Sequence, residues 1–171
     1  MEFFVQAGSP EIRACGAVDD FAEAVSQIYW DAEEYAVLVW NWVPILLSYS
    51  DDISVMLHDL VPLLEEVQRP GFVGCRVQWG SNTFLAQWDF SRDRELLVID
   101  ASWQSTNGSY EHLLSNRPRV SMPIRVFVDE WSKILRQILA DFDSMAVVIA
   151  DHDILQRTRG LLFSVQYEGL S

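Results

Sequence analysis

Lysine is almost missing from this sequence of 171 residues: Lys133 stands alone beside eleven arginines. Basic residues are few in all, 12 against 25 acids, for a net charge of −13. Phosphate backbones are bound by clustered Lys and Arg, so nucleic acid is excluded as a direct ligand. Cysteine is scarce too. Cys15 and Cys75 form no metal-binding or redox spacing, and a reducing compartment is expected. No long apolar run exists. The longest, residues 36–47, contains Asn41 and Pro44 and falls short of the roughly 20 residues that span a bilayer. Met1-Glu2-Phe3-Phe4 lacks the basic start and apolar stretch of a secretory signal, so a cytoplasmic location is expected.

Catalytic and cofactor signatures are missing as well. The sequence has no Gly-rich phosphate loop, no nucleophile elbow, no H-E-x-x-H and no paired C-x-x-C. No cofactor and no metal are therefore expected, and the protein reads as a non-enzyme. Three histidines remain as candidates for chemistry. His58 sits in a helical stretch and reads as a surface residue. His112 follows Glu111 in a polar segment, without a visible nucleophile. His152 lies between Asp151 and Asp153, but neighbours on a helix point to different sides.

What is present is apolar and acidic. Half the residues are hydrophobic, enough for a sizeable core in one domain spanning 1–171. The charge is uneven: the first 68 residues hold 13 acids and a single base, Arg13, whereas the rest is nearly balanced.

Periodicity gives the fold class. Val18, Phe21, Ala22, Val25, Ile28 and Tyr29 make a helical stripe over residues 17–34, capped by Asp19 or Asp20. Residues 35–43 read as one strand that ends or bends at Pro44, with Trp40 and Trp42 on one face. Residues 51–68 read as a helix that Pro62 kinks or ends early. Residues 72–79, 83–90 and 95–103 alternate between short polar turns and predict a three-stranded antiparallel meander. Cys75, in phase with Val73, Val77 and Trp79, is expected to be buried. Residues 104–119 read as irregular, and 129–143 as the clearest helix. A last helix is expected to begin near Asp151. The strands come as a run, so the expected fold is α+β, an antiparallel meander with helices on one face.

The functional signal is electrostatic. Small acidic domains without catalytic motifs suit the masking of a basic protein surface. The expected partner-binding residues are Asp31, Glu33, Glu34, Asp51 and Asp52, which flank the aromatic segment, with Trp40 and Trp42 as anchors; Trp30 is a further candidate. Two other readings stay open. One is an enzyme using His112 or the Asp51/Asp52 pair. The other is an acidic mimic of nucleic acid that binds a DNA-handling protein.

Certain phrases carry a family likeness. They are Trp40-Asn41-Trp42-Val43-Pro44, then Asp51 with Ser54-Val55-Met56 and Asp59, Ser81-Asn82-Thr83-Phe84, Trp88-Asp89, and the run from Val98 to Trp103. In these, across residues 35–142, the sequence resembles immunity proteins of bacterial polymorphic-toxin systems, of the contact-dependent or Rhs type. The resemblance implies a cytoplasmic inhibitor of a cognate toxin delivered by a neighbouring cell. Such toxins are often nucleases or ADP-ribosyltransferases, whose clefts attract anions.

Overall fold

The computed structural model describes residues 2–30, 32–81 and 83–168. A strand missed in the sequence opens the chain. Phe3 and Val5 turn inward and Gln6 outward, forming β1 (Phe3–Gln6). It pairs antiparallel with β2 (Ala36–Trp40), which pairs in turn with β3 (Val43–Leu47). The strand expected over 35–43 thus ends at Trp40, and the short second extension that the sequence allows from Ile45 to Tyr49 is β3, begun two residues earlier. Asn41 and Trp42 form the hairpin turn between them, with φ of 47° and 71°. Left-handed backbone at both positions is what a two-residue type I′ turn demands. Pro44 does not end the extension. It lies inside β3, an edge strand, where a missing N–H is tolerated.

The first helix is shorter than its stripe predicts. α1 spans Phe21–Ile28, and of the two candidate caps Asp20 is the one used, accepting the Glu23 N–H at 2.8 Å. The Glu23 carboxylate reaches back to the Asp19 N–H at 2.7 Å, a reciprocal cap. After β3, a π-helical turn at Tyr49–Ile53 leads into α2 (Ser54–Val67). Pro62 does not end α2 early. Leu60, Val61, Leu63, Leu64 and Val67 are buried on both sides of it, and that burial offsets the roughly 3 kcal/mol of an internal proline.

The expected meander is present with a fourth strand. It comprises β4 (Gly74–Gly80), β5 (Phe84–Asp93), β6 (Leu96–Thr106) and β7 (Arg119–Pro123), all antiparallel in that order. The segment between β6 and β7, expected to be irregular, holds the short α3 (Glu111–Ser115). The expected burial of Cys75 needs correction: Cys75 and Val77 are half-buried and Val73 is exposed.

α4 (Ile124–Ser144) begins five residues earlier than its clearest periodicity. It sets Phe127, Trp131 and Leu135 into the core. The Phe127 ring lies 5.5 Å from Phe3 of one sheet and 5.7 Å from Phe90 of the other. α5 (Asp153–Glu168) closes the described chain. The fold is α+β, two antiparallel sheets with helices packed on them around one shared core. No helix among the described residues is long and apolar enough to cross a membrane.

An aromatic cluster joins the two sheets. The Trp40 ring lies 5.1 Å from both Trp88 and Trp103, and its indole N–H donates to the Arg117 carbonyl at 3.1 Å. Asn41 Nδ2 donates to the carbonyls of Arg117 and Arg119, so the β2–β3 turn is fastened to the start of β7.

Candidate functional site

The expected contact residues separate on folding. Trp40 is fully buried in the aromatic cluster and cannot anchor a partner. Trp42, two residues on, is 66% exposed at the hairpin tip, because the turn reverses the chain between them. Trp30, just beyond α1, is 59% exposed.

Asp51 and Asp52 also part. Asp52 is buried and accepts from the Ser48 N–H at 2.8 Å, from Thr83 Oγ1 at 2.7 and 2.9 Å, and from Ser81 Oγ. It ties the π-helical turn to the connection between β4 and β5, so it is structural and leaves the contact surface. The pair cannot act as joint catalytic carboxylates. Asp51 faces solvent, and the Ser48 and Ser50 hydroxyls lie 3.2 and 3.3 Å from its Oδ2.

Asp51 is shared by two open depressions. One is bounded by Trp30, Glu33, Tyr35, Ser50 and Arg13. The other, of about 510 Å³, is bounded by Asp20, Glu23, Asp51, Val55 and His58. Glu33 and Glu34, with Glu11, border a third depression beside the first. Glu34 is held there by the Ser9 N–H at 2.8 Å. Glu33, Glu34 and Asp51 thus share one acidic, indented side of the molecule. Asp31 lies outside the described residues.

The ion pairs explain why this side stays negative. Arginines of the second half are spent on nearby acids: Arg76 on Asp89, Arg119 on Asp100 and Arg159 on Asp143. Among the described residues of 1–68 they reach only the C-terminal end of α2, through Arg157 to Glu65 and Arg69 to Glu66. Among the described residues, Asp19, Glu23, Glu33, Asp51 and Asp59 have no Arg or Lys ion pair. His58 pairs with Asp20 at 3.2 Å, as a surface histidine. His112 and His152 are both exposed. No group of three potential metal ligands exists among the described residues.

Sequence reasoning missed the acids of α1. Asp20 reads only as a candidate helix cap and Glu23 is not singled out, yet both line a depression with Asp51. Their spacing in the chain gave no sign of it. Compared with protein-family models, curated proteins and solved structures, the chain matches none.

Proposed function

We propose that this protein is a cytoplasmic, stoichiometric inhibitor, an immunity protein that docks its acidic side on a basic toxin domain and performs no turnover. The observation that supports the reading is the row of carboxylates without an Arg or Lys ion pair, Glu23, Asp51 and Glu33, which line two adjoining depressions together with Asp20 and a single arginine, Arg13, with Trp30 exposed among them. Uncompensated charge of one sign steers an oppositely charged partner and orients its docking. Exposed Trp supplies the contact area that charge alone does not.

The test is co-expression with the product of the adjacent gene, then pull-down and binding kinetics over a salt series. Screening acts over a Debye length of about 8 Å at physiological ionic strength. Association should slow as salt rises while dissociation changes less. Charge reversal at Glu33 and Asp51 together should lower the on-rate without unfolding the protein. Retention of no partner, or a salt-independent on-rate, would sink the proposal.

A further inference from the structure

The outer face of the first sheet breaks the alternation expected of a solvated strand. Inward, β1–β3 bury Phe3, Val5, Ala36, Leu38, Ile45 and Leu47. A sheet with one face in water normally turns polar residues outward. Here one outward row is Phe4, Val39 and Pro44, of which Val39 is buried among its neighbours and Phe4 half-buried, and the next is Gln6, half-buried Val37 and Leu46. Leu46 is 37% exposed and Pro44 is exposed. Beyond the rows stand Trp42 at one end and Tyr35, also 37% exposed, at the other. Contiguous apolar surface of this kind marks a contact site.

The charge around the face selects the occupant. Glu33 and Glu34 precede Tyr35 at one end, and Tyr35 and Glu33 also bound the acidic depression. At the other end lies exposed Glu2, whose carbonyl accepts the Asn41 N–H at 2.6 Å. Of the cations near the sheet, Lys133 is paired with Glu130 and Arg119 with Asp100, Arg13 lines the depressions that hold Glu33 and Glu34, and Arg117 stands beside the hairpin tip, so acids outnumber bases around the face. A second copy, packed face to face about a two-fold axis, would set acid against acid at both ends, Glu2 on Glu33 and Glu34 with the axis across the strands or each on its own copy with the axis along them, a costly like-charge match. A partner with Lys and Arg around an apolar centre meets no such penalty.

We infer that the outer face of β1–β3 is the apolar centre of the interface with the basic partner proposed above, with Trp42 as its anchor and the acids as its rim. Trp42 occupies a left-handed turn position that suits glycine, a conformation costly for a bulky side chain. Binding would give that side chain its use. The inference rests on the reading of a basic protein partner.

The experiment uses the full chain and the product of the adjacent gene. Two variants probe the face, Trp42→Gly and Leu46→Ser, and one probes the charge, Glu33→Lys with Asp51→Lys. Trp42→Gly creates the Asn-Gly pair that type I′ turns favour, so it should fold at least as well as the parent. It should nonetheless weaken binding by about 30-fold or more, as loss of a Trp anchor does. The loss should lie in the off-rate, whereas the charge variant should act on the on-rate. If both face variants bind like the parent while the charge variant is impaired, this inference falls and the basic partner stands. If the parent itself retains nothing, both fall. If the parent sediments as a dimer that Leu46→Ser dissolves, the occupant is a second copy and the inference is overturned.

Discussion

The Glu130 carboxylate accepts the backbone N–H of Val5 at 2.7 Å, across 125 residues of sequence. Glu130 is buried on α4, and Lys133, one turn on, pairs with it at 2.5 Å and reaches the Val5 carbonyl at 3.4 Å. Side chains of α4 thereby occupy the free edge of β1, where an unpaired strand would otherwise recruit another chain. The only lysine in the sequence serves this contact.

Glu130→Ala should leave the Val5 N–H without its acceptor and cost about 1–3 kcal/mol in denaturant melts. It should also raise light scattering at high concentration, since the β1 edge is opened. Unchanged stability and unchanged scattering would show that the edge needs no cover.

Leu135 is fully buried on the face of α4 that packs into the core. Leu135→Ala should destabilise by roughly 2–5 kcal/mol. A loss under about 1 kcal/mol in urea melts would show that the site collapses around the missing atoms.

Adjacent acids should behave in opposite ways. Asp52→Asn places an amide against three donors, the Ser48 N–H, Ser81 Oγ and Thr83 Oγ1. It should lose about 1–3 kcal/mol of stability. Asp51→Asn, on the exposed side, should stay within about 0.5 kcal/mol. Thermal melts of the two variants side by side decide it, and equal losses would contradict the division of roles.

Two core tyrosines predict an alkaline limb. Burial raises the Tyr29 hydroxyl well above its usual range, and its hydrogen bond to Asp141 at 2.6 Å adds to the effect. Burial pushes Tyr49 up to about 12 from a free value of 10.0, with the nearby charges of Asp141 and Glu34 adding to it. The folded state therefore favours the neutral phenol. That stability is fully present below the unfolded value of 10.0 and is lost as pH rises above it. Urea melts over a pH series should show this loss, and Tyr29→Phe should make the limb shallower. Near neutral pH the same variant should lose about 1 kcal/mol for the missing hydrogen bond. An alkaline limb identical in parent and variant would assign the loss to other groups.

Elements whose pattern is local are legible in the residues alone. The β4–β6 meander follows from alternation between short polar turns, and α4 from a long stripe at helical spacing. The concentration of acid in the first 68 residues was legible as a count. Tertiary structure decided what depends on partners distant in the chain. β1 is four residues long, too short for a pattern, and exists because β2 and α4 supply its bonds. Asp51 and Asp52 are chemically alike. The second is buried only because Ser81 and Thr83, about thirty positions on, close over it. Trp40 and Trp42 fall on opposite sides of the surface because Asn41-Trp42 takes up a turn normally made by Asn-Gly, a choice stabilised by Asn41 bonding to β7. Burial is set by what a fold brings to a residue. Composition and spacing therefore gave the sign of the surface, while the fold chose which acids and tryptophans stand on it.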